Sequence, residues 1–468
     1  MTSQHSILKP SSAKFVGSIP VVVIGGGGCG LTAALSAKEH GAEVIVLERD
    51  ATALGTTAMS TGLIPAAGSR FQEEKGIQDS PEDFVADIIR KTHGQTDHQA
   101  VRYLAEQSSP TVHWLVDQHS VPLSLVENFS FPGQSCDRMH GTPNRTGAEL
   151  MGALHNATQR SGVDILLNAQ VTHLFAEDNG RIEGVRLARP DGSTEDIGCG
   201  ALILACCGFG GNSEMLTQYI PEMVKATFFG HPGNKGDAIL WGRSLGADMS
   251  DLESYQGHGG LACGHGVTIL WAHIMLGGFQ VNTAGVRFCD EARGYSEHAV
   301  EIIRQPEHVA WAIYDERIHN TMKEYADYRE ALQTGCIHTA ETVQQLIGIS
   351  GLPETVKDTF ESVKKMVLGK KQDRFGRDFT IHKELEPPYR FVRVTGALFH
   401  TQGGLVVDNN GQVQRKDGSL LPNLFAGGGA ARGISGPSCW GYMSGNGLMT
   451  ATTYGRSAGQ AAAKCVIS

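Results

Sequence analysis

The chain has 468 residues, more than one ordinary hydrophobic core accommodates, so two domains are expected. A formal net charge of −10 with no Lys/Arg block argues against a nucleic-acid or anionic-membrane partner, and no apolar stretch approaches the roughly 20 residues of a transmembrane helix. The ten cysteines are scattered with no Cys-x-x-Cys pair, which predicts buried thiols in a reducing, cytoplasmic setting and no metal site.

Residues 1–18 are polar without an apolar segment and read as a loose tail rather than a signal peptide. The apolar run Val21 to Ile24 then breaks into Gly25-Gly26-Gly27-Gly28-Cys29-Gly30, a helix-like stretch from Leu31 to His40, and a second apolar run, Val44 to Leu47, ending in Glu48. Strand, Gly-x-Gly-x-x-Gly, helix, strand and acid in about thirty residues is what a dinucleotide-binding βαβ unit requires. Gly25 and Gly27 allow a tight turn close to a pyrophosphate, Gly30 lets the helix pack on the strand, and the helix N-terminus offers unpaired N–H groups. Glu48 is placed to accept from the two hydroxyls of an adenosine ribose, which favours FAD or NAD over a 2′-phosphorylated cofactor.

Further along, residues 98–118 and 146–160 read as helices, and Asp164 to Leu167, Val171 to Phe175 and Gly184 to Leu187 as strands, the last two joined by a turn at Asp178-Asn179-Gly180. Ala201 to Cys206 is wholly apolar, as in a parallel strand buried on both faces. From about Asp251 to His400 the pattern is short and irregular, apart from a helix with Val356, Phe360, Val363 and Val367 on one face. Gly403 to Val407, Asn423 to Gly427 and a closing helix from about Asn446 to Ala463 return to the αβ style. The expected architecture is an α/β chain: a discontinuous Rossmann-like nucleotide domain, residues 17–252 and 401–468, with an inserted α+β capping domain, 253–400.

Six ordered blocks resemble a known family: the Gly25 to Gly30 fingerprint, Gly55-Thr56-Thr57-Ala58-Met59-Ser60-Thr61-Gly62, Ala205 to Asn212, Asn282 with Gly285 to Glu291, His400 to Gly404, and Gly445-Asn446-Gly447-Leu448 running into Gly455-Arg456. They are similar to the flavoproteins that include soluble fumarate reductase, the succinate dehydrogenase flavoprotein and the 3-ketosteroid dehydrogenases. The resemblance implies FAD held at the junction of the two domains. Its implied contacts are Gly25, Gly27, Gly28, Cys29, Gly30, Glu48 and Arg49 from the fingerprint, and Thr56, Thr57, Ser60, Thr61 and Gly62 from the following loop. Gln170, Val171, Gly208, Asn212 and Asp237 come from the middle of the chain, and Gly404, Gly427, Gly428, Gly447 and Leu448 from its end. Covalently flavinylated relatives carry a His in the Gly55 to Gly62 block; none stands here, so the FAD is expected to be non-covalent. Cys207 occupies a position where relatives usually have Gly.

The resemblance also indicates where substrate binds. Two arginines clamp the dicarboxylate in fumarate reductases; the corresponding positions here are Tyr295 and Tyr442, the latter in Gly441-Tyr442-Met443-Ser444-Gly445. Phenols suit a carbonyl or enolate oxygen, whereas a guanidinium suits a carboxylate, and the pattern resembles the ketosteroid dehydrogenases. The expected catalytic residues are Tyr295, Tyr442 and Ser444. Gln256, His258, His400, Gly445 and Arg293 are expected to bind substrate, with Arg432 as a second candidate cation. The expected reaction is α,β-desaturation of a cyclic ketone, such as a 3-ketosteroid or an oxo-cyclohexane carboxylate: the α-proton goes to a tyrosine and a hydride to flavin N5. The alternative is reduction of an unsaturated carboxylate. The expected partners are a small-molecule substrate and an electron acceptor that is oxygen, a quinone or a carrier protein.

Overall fold

The computed structural model describes residues 7–127 and 131–467. Five strands run parallel in register order Asp164–Leu166, Val44–Leu47, Phe15–Ile24, Thr194–Leu204 and Leu420–Ala426. The apolar runs that predicted them lie at the sheet's centre: Val21, Val22 and Val23, with Ala201 to Leu204, are fully buried, since helices and loops cover both faces. An antiparallel arm, Gln170–Ala176 and Ile182–Ala188, joins the first half of Thr194–Leu204. Its turn falls at the expected place, with Gly180 at φ 85° and the Glu177 N–H bonded to Arg181 O at 2.9 Å.

The N-terminal segment is not loose where it is described; residues 1–6 lie outside the described residues. Ile7–Leu8 pairs in parallel with Leu174 and Phe175, and Phe15 to Ser18 extends the central strand along Asp196 to Gly198. Polar composition conceals this because the attachment is largely main-chain pairing. One ring contributes: Phe15 packs edge-on to Phe175 at 5.4 Å, over the space left by Gly184.

The predicted helices form at His98–Asp117 and Gly147–Arg160. Asp97 caps the first by accepting from Gln99 and Ala100 N–H, and Thr146 caps the second by accepting from Glu149 N–H. The closing helix, Asn446–Ile467, runs past the expected end at Ala463 and crosses Gly28–Glu39. The crossing is close because a Cβ at Gly455 would lie 2.6 Å from Cys29 O, and one at Gly459 would lie 2.1 Å from Ala33 O.

The region read as irregular supplies five strands of a six-stranded sheet centred on Tyr389–Thr401, with Val309–Asp315, Tyr255–Ala262, Phe279–Val281 and His338–Ala340, and Thr227–Phe228 joins it from earlier in the chain. All seven residues of Val309–Asp315 are buried, so the strand has no polar face to give alternation. The expected amphipathic helix is Thr355–Val367, with Val356 and Val363 buried. Between Tyr255–Ala262 and Tyr389–Thr401 the register slips: Gln256 faces His400, but Gly257 faces Leu398. Phe399 is therefore an extra residue, a bulge that re-aims its neighbours.

Gly459→Val is expected to force the two crossing helices apart and cost about 3 kcal/mol. Thermal unfolding measures it; an unchanged midpoint would show that the crossing tolerates a side chain.

Candidate active site

One continuous cavity runs from the glycine turn to the two tyrosines. At the turn, Gly25 has φ 107°, and a Cβ there would lie 2.5 Å from Ala205 O, so only glycine brings the turn against the neighbouring strand. Gly30 packs on the same turn: its Cβ would sit 1.8 Å from Gly25 O. Glu48 is 6% exposed and accepts from Gly26 N–H at 2.8 Å through one oxygen and from Asp50 N–H at 3.0 Å through the other. Each oxygen keeps a second lone pair for a ribose hydroxyl. Around Gly27 the backbone is bare, with Thr57 Oγ1 the nearest heavy atom to an added Cβ, at 3.9 Å. A buried acceptor beside an uncovered helix start is the donor and acceptor set that an adenosine diphosphate needs, so these residues fit FAD.

The loop at Gly55 to Gly62 lies across this turn. Thr57 Oγ1 accepts from Gly28 N–H at 3.1 Å, Thr56 Oγ1 from Asn234 Nδ2 at 2.9 Å, and Ser60 Oγ donates to Thr57 O at 2.7 Å. Much of the loop's hydroxyl capacity is therefore spent on shaping the loop itself. Arg49, Thr61, Gln170, Val171, Asp237, Gly428, Gly447 and Leu448 line the cavity with Gly25, Gly27, Gly28, Cys29, Glu48, Thr56, Thr57 and Ser60.

Six expected cofactor residues do not line this cavity, although one of them, Asn212, lines an adjoining pocket with Arg49, Gln170 and Asp237. Gly30 packs as above, and Gly62, Gly208, Gly404 and Gly427 are glycines because an added Cβ would meet Thr146 O, Thr401 Oγ1, Ala430 O and Cys29 Sγ, all within 2.7 Å. Asn212 caps the helix Ser213–Tyr219 and donates to Lys235 O at 2.9 Å. Cys207, at the position expected to be glycine, does line the cavity, with φ 64°.

At the far end, Tyr295 opens the helix Tyr295–Ile303, and Tyr442 precedes the closing helix. Their rings meet edge-on at 6.1 Å, and Tyr295 O–H donates to Ser444 Oγ at 2.8 Å. Both phenols are buried, at 9% and 5% exposed. Burial pushes the Tyr295 hydroxyl above its ordinary pKa, with the Ser444 hydrogen bond pulling the other way. Burial raises Tyr442 well above the usual range too, aided by Tyr295 and opposed by the amides of Gly447 and Gly445. At neutral pH both are therefore hydroxyl donors.

His258 and His400 complete this end. Burial lowers His258 to about 3, helped by His273 and His298, and lowers His400 to about 4, so both imidazoles are neutral. His258 Nδ1 accepts from Gly260 N–H at 3.1 Å, which leaves its ring proton on Nε2, and His400 Nδ1 lies 2.9 Å from Gln402 Nε2 and 3.4 Å from Thr401 O. His258 stacks on Phe399 at 5.1 Å with 10° between planes, and His400 meets Tyr442 edge-on at 5.7 Å. The bulge at Phe399 is why consecutive residues, Phe399 and His400, both reach the cavity.

The candidate cations are elsewhere. The Arg293 side chain is 71% exposed, 3.8 Å from Asp290, and does not line the cavity. One turn of 3-10 helix, Glu291–Arg293, ends at Gly294 with φ 151° and rotates it away. Arg432 is held by Asp251 at 2.6 Å and Asp97 at 3.0 Å. Among the described residues the cavity's one Lys or Arg is Arg49, which donates to Gly233 O at 2.7 Å at the nucleotide end. Sequence reasoning missed the apolar lining, Leu63, Phe131, Met139, Leu270 and Trp271. Nothing in their spacing separates them from ordinary core residues.

The model of the FAD binding domain family matches residues 20–448. The chain belongs to this family. It is 29% identical over 466 residues to the probable fumarate reductase Ifc3 of Shewanella frigidimarina (strain NCIMB 400), covering 98% of this chain and 77% of that one. The open conformation of a flavocytochrome c3 fumarate reductase superposes with a TM-score of 0.81 at 28% identity, covering 97% of this chain and 79% of that one. A 3-ketosteroid-Δ4-(5α)-dehydrogenase from Rhodococcus jostii RHA1 shares the fold, with a TM-score of 0.75 at 23% identity over 98% and 99% of the two chains. This flavoprotein is an FAD-dependent oxidoreductase of the kind that acts on CH–CH groups. No described helix is long and apolar enough to cross a membrane.

Glu48→Ala is expected to weaken FAD binding about 10- to 100-fold, the size of losing hydrogen bonds to a charged acceptor, without unfolding the protein. Titration of the apoprotein with FAD, followed by flavin fluorescence, measures it; unchanged affinity would remove Glu48 from the site.

Proposed function

We propose that the protein desaturates a cyclic ketone, of the 3-ketosteroid or oxo-cyclohexane carboxylate kind, between the carbons α and β to the carbonyl. The supporting observation is the cation-free end of the cavity, where Tyr295, Tyr442 and the two neutral histidines offer N–H and O–H donors and no guanidinium. Neutral donors match a carbonyl, whereas a dicarboxylate would be desolvated without a bidentate partner, at a cost of several kcal/mol. FAD, held non-covalently by the residues around the glycine turn and Glu48, would supply the two-electron oxidant that accepts the β-hydrogen as hydride.

Tyr442 is the donor to the ketone oxygen. Its hydroxyl, whose oxygen is held by the amides of Gly445 and Gly447 at the start of the closing helix, donates to the enolate oxygen, so negative charge there is stabilised as it develops. Tyr295 takes the α-proton, with Ser444 2.8 Å away as the group that holds its oxygen in place. Leu270, Trp271 and Phe399 exclude water from this end, which strengthens each of these contacts. His258 and His400 are left for a polar substituent on the ring.

Tyr295→Phe and Tyr442→Phe keep ring volume and delete one hydroxyl each. Both proteins are expected to stay folded and yellow, while anaerobic reduction of the flavin by a ring ketone slows roughly a hundredfold or more. Wild-type rates in both would end the assignment of these residues. The pH dependence follows in sign: the accepting form of Tyr295 is the phenolate, and burial raises its pKa, so desaturation is expected to speed up with pH through the alkaline range. Tyr295→Phe should flatten that rise.

Fumarate and succinate are expected to be poor substrates by orders of magnitude beside the best ketone. Reduction of an unsaturated carboxylate is the second reading, favoured by one observation: the phenols rest protonated, as a proton donor must. Fumarate reduction at a rate comparable to ketone oxidation would decide for it.

A further inference from the structure

Tyr295 and Ser444 belong to chain segments 149 residues apart, which meet in a 2.8 Å hydrogen bond. The helix Pro81–Lys91 ends at Lys91, whose ammonium donates to Arg293 O at 3.0 Å and to the Glu297 carboxylate. Those two acceptors straddle Tyr295, one two residues before it and the other two residues after. Gly294, between them, has φ 151° and carries no side chain into this contact: a Cβ there would lie 2.5 Å from Glu297 Oε2 and 3.2 Å from Lys91 Nζ. The pair is largely shielded, at 11% and 19% exposed, and Glu297 Oε2 has no hydrogen-bond partner. Lys91 is thus the group that makes the carboxylate's burial tolerable.

The stem of the same lysine and the other catalytic segment pack on either side of Gly133. A Cβ at Gly133 would touch Met443 Sδ at 3.0 Å and Lys91 Cδ at 3.5 Å, and the next residue, Gln134, donates to Ser444 O at 3.4 Å. The rest of the helix end is anchored firmly. Asp87 accepts from Ser135 and from the fully buried Arg138, and Arg90 donates to Gly133 O at 3.0 Å.

We propose that Lys91, paired with Glu297, is a positioning residue that clamps the first turn of the Tyr295 helix and so fixes the Tyr295 hydroxyl against Ser444. Lys91 touches neither substrate nor cofactor; it acts through Tyr295. The inference rests on the catalytic role proposed for Tyr295. A clamp of this kind predicts a loss of turnover with little change in substrate affinity, because the cavity walls stay in place while the reacting hydroxyl wanders.

Lys91→Met alone would leave Glu297 buried and unpaired, so the decisive variant joins Lys91→Met to Glu297→Leu, which removes both charges. In the FAD-loaded enzyme this double variant is expected to lose about tenfold in kcat for the ring ketone that best bleaches the flavin, with KM within twofold of wild type. Lys91→Arg should restore most of the turnover. In a Tyr295→Phe background the double variant should have no further effect, and an equal loss there would overturn the proposal. Hydrogen exchange at the amides of residues 293–298 tests the clamp without any substrate. Exchange faster by tenfold or more at those amides, and unchanged in the central sheet, supports it; unchanged exchange at 293–298 overturns it. If Tyr295→Phe turns over like wild type, the ketone reading fails on that result, and the exchange measurement alone then decides the clamp, in the same two directions.

Discussion

Absence of side-chain volume at a few backbone crossings is the constraint on which this structure depends. Gly25 against Ala205 O, Gly30 against Gly25 O, Gly455 against Cys29 O and Gly459 against Ala33 O bring main chain onto main chain at distances that no Cβ permits. These approaches draw the glycine turn against the sheet and lay the closing helix over the first one. The buried carboxylate of Glu48 then bonds the turn to the end of the second strand. Conformational entropy is lost at each glycine, and the buried apolar sheet beneath offsets it.

The two ends of the cavity differ in their electrostatics. At the nucleotide end, the bare backbone at Gly27, with Arg49 and Glu48, provides polar contacts and directional hydrogen bonds. At the tyrosine end burial holds Tyr295, Tyr442, His258 and His400 neutral, while Asp327, which also lines the cavity, has its carboxyl raised to about 6 by burial. In a medium of low dielectric a change in charge has a large effect, so in the proposed reaction the neutral phenols and imidazoles would respond strongly to charge developing on the substrate. The aromatic stack of Phe399, His258 and Tyr295 supports this by keeping rings in fixed orientation.

How much was legible in the sequence divides along physical lines. The βαβ unit, the hairpin at Asp178 to Gly180 and the helices at 98 and 146 were readable because local pattern, turn residues and caps agreed with the tertiary arrangement. Tyr295 and Tyr442 were found by motif offset and do converge. Arg293 failed on the same reasoning, because one helical turn and a glycine decide orientation and no offset encodes that. Strand Val309–Asp315 escaped because burial on both faces erases alternation, and the N-terminal pairing of Phe15 to Ser18 escaped because main-chain hydrogen bonds leave no mark on side-chain composition. Motif glycines such as Gly208 and Gly404 are crowded by neighbouring chain, so packing alone already demands glycine there.

The cavity is lined from both ends of the polypeptide, by Gly25 to Cys29 and by Gly428 to Ala451. During vectorial synthesis the first strand, turn and helix leave the ribosome more than four hundred residues before the helix that closes over them. Until that helix arrives, the Ala33 and Cys29 face is uncovered apolar surface, and Gly447, Leu448, Thr450 and Ala451 are missing from the cavity wall. The six-stranded sheet, complete by Thr401, can assemble before the nucleotide site does. Cofactor capture is therefore expected late in the life of the chain, since the cavity lacks one wall until the last helix is in place.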